Sequence, residues 1–265
     1  MGGIIPSQAS VFTTLRWENG RVAWLPEHLR RLQEHAQRLG IEWPKNFHQR
    51  LNSTPVHGEG NLCRIQLDHD GAISLTLRDS QYPPSPLTAA SQVAPRFPKQ
   101  IQGTKHAAWE GYHEARKHSI DNGADIALLV HEGSVVDGDR CTPILLDTDG
   151  VAYAPDPEGG GVDSITIHLL KPAIEDAGIP FRTALLTENL LGRASEIIVV
   201  GTGVGVAWLN EIDGQAVGTG TTGPLFYTCE SAFNRRLSEA WTPLGESVRK
   251  RQSSFQSAQI SHLTC

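Results

Sequence analysis

The sequence predicts a mixed α+β (α-β) protein folded as two lobes, a smaller N-terminal one and a larger C-terminal one. Short β-rich runs alternate with helix-patterned segments along the whole chain. One stretch, SQYPPSPLTAASQVAPRFPKQ, breaks that pattern with prolines and reads as the connection between lobes. A chain of 265 residues is long enough to give each lobe a core. The expected division is residues 1–85, a connection over 86–100, and residues 101–265.

In chain order, SVFTTLRW and RVAWL flank Asn19-Gly20, which is a hairpin signal. Pro26 opens a helix with Leu29, Leu32, Ala36 and Leu39 at helical spacing, and Gly40 stops it. A second helix is expected from Pro44 to about Leu51. NLCRIQLDHDGAISLTLR reads as two strands about the turn Asp68–Gly71. Beyond the connection, GTKHAAW places Lys105 at an expected helix start, and EGYHEARKHSIDNG carries the helix to Asn122-Gly123. IALLV, GSVVDG, PILLD and VAYA read as short strands. A helix follows over about 163–177, then the strand FRTALL and a short helix in ENLLGRA. SEIIVVGTGVGVAWLNEIDG reads as two strands about a glycine turn, and Gly223-Pro224 starts a last helix running to about Trp241. The polar tail from Ser247 reads as loose.

The formal net charge is −6 with no long run of one sign, which argues against nucleic acid as the main partner. No segment is long and apolar enough to span a membrane, so no membrane partner is expected. MGGIIPSQAS has no basic segment followed by an apolar run, so no secretory signal is read there. Cys63, Cys141, Cys229 and Cys265 are widely spaced, with no C-x-x-C pair. They read as reduced thiols of a cytoplasmic protein rather than as a disulfide frame or a zinc site. His113 and His118 are five apart, about 140° around a helix, which does not make a metal pair.

GTGVG at 201–205 lacks the third glycine of a dinucleotide fingerprint, because position 206 is Val206, and the segment after it reads as strand. What remains is either a turn whose backbone N–H groups approach an anion or a plain strand connection. A cation at Lys105 in a helix's first turn is mildly unfavourable. The lysine is therefore either solvated, as most are, or a buried amine whose depressed pKa makes it a nucleophile for a Schiff base.

Across nearly its whole length the chain resembles the class IV aminotransferases. These are the fold-type IV enzymes dependent on pyridoxal 5'-phosphate (PLP), which include branched-chain and D-amino-acid aminotransferases and aminodeoxychorismate lyase. SVFTTLRW followed by a hairpin and then EHLRRL is similar to the family opening, a strand ending in arginine and then H-x-x-R-L. EIDGQAVGTGTTGP at 211–224 matches the family's D-G-x-x-V-G-x-G-x-x-G-P and is the most specific single match. The resemblance implies a two-lobe PLP enzyme, a homodimer, with Lys105 as the Schiff-base lysine. It implies that Arg31 contacts the cofactor phosphate, together with the Ser164-Ile165-Thr166 turn and the Gly201-Thr202-Gly203 turn. Asp137 lies where the family has a glutamate facing the pyridine nitrogen, and Arg64 where some members use an arginine for a substrate carboxylate. The chain departs from the pattern in several places. Asp137 is one methylene shorter than glutamate, Ser164 replaces a glycine, and Ile167 replaces a common arginine. Ala107, Ala108 and Trp109 stand where an asparagine is often found.

The expected substrates are an amino acid and a keto acid, or aminodeoxychorismate. The expected reactions are transamination to a keto acid or the 4-amino-4-deoxychorismate lyase reaction. The rival expectation is a degenerate member with lost or weakened PLP chemistry that acts as a binding or regulatory dimer.

Overall fold

A computed structural model describes residues 9–80 and 82–244 of the chain. Cys265, the tail from Ser247 and the N-terminal residues read for a leader lie outside the described residues. The described chain forms two compact units, one of residues 80–239 and one of residues 9–79 with 240–244.

The smaller unit opens with β1 (Ser10–Glu18) and β2 (Arg21–Ala23). Asn19 and Gly20 between them both take positive φ, 49° and 81°, as a type I′ hairpin requires. Helix α1 (Leu25–Arg38) follows, with Pro26 in its first turn and Leu29, Leu32 and Ala36 buried on one stripe. Then come α2 (Phe47–Ser53), β3 (Val56–His57), β4 (Leu62–Asp68) and β5 (Ile73–Arg78). Strands β1, β4 and β5 are antiparallel neighbours, and the register pairs Thr14 with Arg64 and Arg64 with Thr76. Period-two alternation turns Val11, Leu15, Cys63, Ile65 and Leu67 into the core.

The larger unit begins with β6 (Leu87–Val93) and α3 (Glu110–Asp121). It continues through β7 (Ile126–His131), β8 (Ser134–Gly138), β9 (Thr142–Asp147), β10 (Ala152–Pro155) and α4 (Ile165–Asp176). Next are β11 (Phe181–Ala184), β12 (Leu186–Thr187), α5 (Glu188–Leu191), β13 (Ala194–Gly201), β14 (Gly205–Ile212), β15 (Gln215–Ala216) and α6 (Pro224–Glu239). Its sheet runs β11-β10-β9-β13-β14-β6-β7-β8-β12, with β15 paired to β14. Leu87, Ile126, Leu128, Leu145, Ile197, Val199 and Leu209 pack one continuous core in it. After α6 the chain returns to the smaller unit as β16 (Trp241–Pro243), which pairs with β2.

Three local expectations are corrected. Residues 87–93 are a strand, not a connection: the prolines flank the span at 83, 84, 86 and 95 and leave its N–H groups free to pair with β7. Lys105 does not open a helix, because α3 starts five residues later at Glu110 and Lys105 lies in the preceding loop. Trp241 belongs to β16 rather than to the last helix.

Candidate active site

Asp137 is the centre of the larger unit's polar interior. It sits near the end of β8, where Val135 faces Val130 but Asp137 faces Leu129, so Val136 is an extra, bulged residue. A bulge resets the alternation of a strand and re-aims its next side chain. Asp137 is 5% exposed, and both its oxygens are engaged. Oδ1 accepts from its neighbour Gly138 N–H (3.0 Å) and from Thr142 Oγ1 (2.9 Å) on β9. Oδ2 accepts from Val162 N–H (2.9 Å). Burial pushes this carboxyl up to about 6, and the three hydrogen bonds and then the charge of Lys105 oppose the rise. A carboxylate has about four acceptor positions. Three donors leave room on Oδ2 for one more.

The Val162 bond depends on the run Gly159–Gly161. A Cβ on Gly161 would lie 2.2 Å from the Val136 carbonyl oxygen and 3.3 Å from Asp137 Cβ, so only glycine lets the loop approach the strand this closely. The loop carrying Lys105 is fastened to the same run. Arg96 Nη1 donates to Gly159 O (2.9 Å), and Gln102 Nε2 donates to Gly160 O (2.7 Å). Gly103, at φ 76°, lies so near Gly161 that its Cβ would stand 2.8 Å from that carbonyl oxygen. Thr104 Oγ1 closes the turn onto Ile101 O (2.7 Å). Lys105 is half-buried, with Nζ 4.8 Å from the centroid of the Trp109 ring. His106 is buried between Phe97 and Trp109, and neither of its ring nitrogens has a hydrogen-bond partner among the described residues. Burial holds its imidazole down at about 4, although Glu110 pulls the other way.

The two expected phosphate elements also belong to this unit. Ser164 caps α4, its Oγ accepting from Ile167 N–H (3.4 Å), and Ile165 and Thr166 form the buried first turn. The first N–H groups of a helix have no partner within it, and they favour an anion. Helix α4 packs against β13, and β13 leads directly into the Gly201-Thr202-Gly203 turn. A Cβ on Gly201 would meet Arg140 O at 3.2 Å and Cys141 Cα at 3.5 Å, so this turn adjoins the segment that follows Asp137. That segment is pinned by Arg116 Nη1, which donates to the buried Asp139 Oδ2 (3.0 Å).

Arg31 and Arg64 belong to the smaller unit and are fixed by its packing. Arg31 is buried rather than a surface helix cation. Its Nη2 donates to Thr13 Oγ1 (3.1 Å), which also bonds His28 Nδ1 (2.7 Å). Arg64 lies on the polar face of its sheet with its guanidinium 3.7 Å from the centroid of the Phe12 ring, and its Nη2 donates to Gln66 Oε1 (3.0 Å). Burial lowers its pKa to about 10, the nearby Arg78 adds to this, and Asp68 opposes it.

Thr142 and the Val162 N–H are site groups that the sequence reading did not single out. Thr142 stood in plain view five residues after Asp137, but the Val162 contact spans 25 residues and has no local signal. Two glycines of the 211–224 segment are packing positions. A Cβ on Gly218 would lie 2.1 Å from Ser195 O, and one on Gly223 would lie 2.7 Å from the Glu196 carboxylate. No cluster of three metal-ligating side chains occurs among the described residues.

The larger unit's groups fit PLP. Asp137 is a desolvated carboxylate with acceptor capacity left for a protonated ring nitrogen, an amine stands in the adjoining loop, and a helix N-terminus and a glycine turn offer N–H groups to a phosphate.

The profile of amino-transferase class IV matches residues 10–212. D-alanine aminotransferase of Staphylococcus haemolyticus is 29% identical over 123 residues, covering 46% of this chain and 43% of that protein. Branched-chain-amino-acid aminotransferase of Salmonella typhimurium is 27% identical over 122 residues, covering 45% and 38%. The chain thus matches less than half the length of these curated relatives. Among solved structures, branched-chain aminotransferase of the thermophilic archaeon Thermoproteus uzoniensis, with norvaline, superposes with a TM-score of 0.72 at 20% identity over 90% of this chain and 90% of that one. A Legionella pneumophila protein assigned as a 4-amino-4-deoxychorismate lyase gives 0.71 at 17% identity over 86% and 91%. With the family profile covering most of its length, the chain belongs to amino-transferase class IV.

Proposed function

We propose that this protein is a PLP-dependent enzyme acting on an amino acid. The observation that carries the reading is the Lys105–Asp137 arrangement, in which a half-buried amine acts electrostatically on a buried carboxylate that has acceptor capacity to spare.

Bound PLP supplies an electron sink that makes the α-proton of an amino acid removable. Asp137 keeps the ring nitrogen protonated, since an anion in a dry interior strongly favours a cation beside it. Lys105 would be the residue that holds the cofactor, and its amine would take and return the α-proton. The Ile165 and Thr166 N–H groups, the Gly201-Thr202-Gly203 turn and the Ser164 cap hold the phosphate, and the resemblance adds Arg31. The resemblance would give Arg64 the substrate carboxylate. Desolvation and stacking on Phe12 already hold its guanidinium in one orientation, which lowers the entropy cost of gripping an anion.

The reaction is transamination with a keto acid or elimination of pyruvate from 4-amino-4-deoxychorismate, and one assay separates them. Purified protein with PLP is given an amino-acid panel with keto acids, and separately aminodeoxychorismate. Keto-acid formation assigns the first reaction and 4-aminobenzoate release the second. Finding neither ends the proposal. The enzyme is further proposed to work as a cytoplasmic homodimer. The three cysteines among the described residues are free and buried, which suits a reducing compartment. A monomer in sedimentation equilibrium would remove the dimer.

A further inference from the structure

We infer that Trp109 is a positioning residue for Lys105: the face of its indole seats the lysine ammonium and holds it toward Asp137 before the cofactor enters. The inference rests on Lys105 being the cofactor lysine, yet it concerns a contact that exists without the cofactor.

Lys105 lies in a loop, with no helix to fix its side chain. The hydrogen bonds of Gln102 and Thr104 hold the backbone that precedes it. Trp109 supplies a wall beside the lysine side chain. Trp109 is 6% exposed, and its ring stacks on Tyr112 with centroids 3.9 Å apart and planes 8° from parallel. The edge of His106 meets it at 5.9 Å. Held on these sides, the indole cannot swing away, and Lys105 Nζ lies over it at 4.8 Å. Trp is the best aromatic partner for an ammonium, and the attraction grows as the pair is desolvated.

The titratable groups converging there come from three elements. Asp137 on β8 favours the charged amine. His106, in the same loop, is kept neutral by burial. Helix α3 brings Glu110, whose charge reaches His106, and Tyr112, whose pKa burial raises and Arg96 opposes. The indole face and the Asp137 carboxylate therefore attract the same ammonium.

The test uses cofactor-free protein. Lysines are acetylated competitively across the alkaline range and read by mass spectrometry, with the exposed Lys117 as internal reference. Removing the π face in Trp109→Leu frees the neutral amine, so Lys105 should label roughly five-fold faster at mildly alkaline pH, with Trp109→Phe in between. A second readout does not depend on that variant folding. The emission of Trp109, taken as the difference between wild type and Trp109→Phe, should titrate with the midpoint of Lys105 labelling and stay flat in Lys105→Met. Unchanged labelling in a folded Trp109→Leu, or a Trp109 titration that survives in Lys105→Met, overturns the inference. Failure of the wild-type protein to take up PLP would sink the proposed function and leave this contact standing.

Discussion

Asp137 and Glu196 are both buried carboxylates of the larger unit, and both accept three hydrogen bonds, yet their surroundings give them different work. Glu196 accepts only from backbone N–H groups, those of Gly223, Leu225 and Phe226 at 2.8–3.0 Å. Those donors are the start of α6, where a helix dipole already welcomes an anion. Its charge closes a structural need. Asp137 sits at a strand end, takes one of its bonds from a side chain, and has Lys105 acting on it from another loop. Burial outweighs its partners and lifts its pKa. One carboxylate finishes a helix, and the other is left under-compensated by its partners.

Breaking the structural member should cost most stability. Glu196→Ala orphans three backbone donors at once, two of them buried, and is expected to destabilise the protein by about 4 kcal/mol, read as a lower denaturant midpoint. A loss below about 1 kcal/mol would mean that water replaces the carboxylate easily and that the contrast with Asp137 is false.

The pH dependence of Asp137 should separate the two next. Its folded pKa lies above the unfolded value, so the folded state binds the proton more tightly and stability falls as pH rises from about 4 to about 6. Asp137→Asn removes that slope. Its stability relative to wild type, in cofactor-free protein, should climb by up to about 3 kcal/mol across this window and be flat above it. A difference that is constant with pH would show that the carboxyl is not strained.

His106 gives the smallest effect at neutral pH and has the opposite sign with pH. Its folded pKa lies below the unfolded value, so burial of the neutral ring costs stability as pH falls from about 6.5 toward 4. His106→Leu should change neutral stability by about 1 kcal/mol or less, because two orphaned nitrogens leave with the ring. It should also flatten the acid limb of the stability curve. A variant as acid-sensitive as wild type would clear His106 of that role.

Much of this was legible where the physics is local. Asn19-Gly20 announces its hairpin because two successive positive φ values admit few other residues. The end of helix α3 was legible, since its last turn stops at Asn122-Gly123, whereas its start was expected five residues too early. Strand β6 was hidden by the prolines around it and by its small residues, Ala89, Ala90 and Ser91, which carry little β signal. Lys105 and Asp137 were singled out through a family pattern, and the larger unit places them so that the charge of one acts on the other. Their partners were not legible, because Val162 reaches Asp137 only where a bulge turns one strand and a glycine run lets another segment approach it. The Glu196 contacts span 27 to 30 residues and are equally silent in the sequence.

The most direct measurement is to load the protein with PLP, reduce it with borohydride and map the product by peptide mass spectrometry. A phosphopyridoxyl group on the peptide containing Lys105, with the yellow colour bleached by the reduction and never formed in Lys105→Ala, is the expected result. A protein that stays colourless with PLP, or a label on any other lysine, would contradict the assignment of Lys105 and Asp137 as the reacting centre.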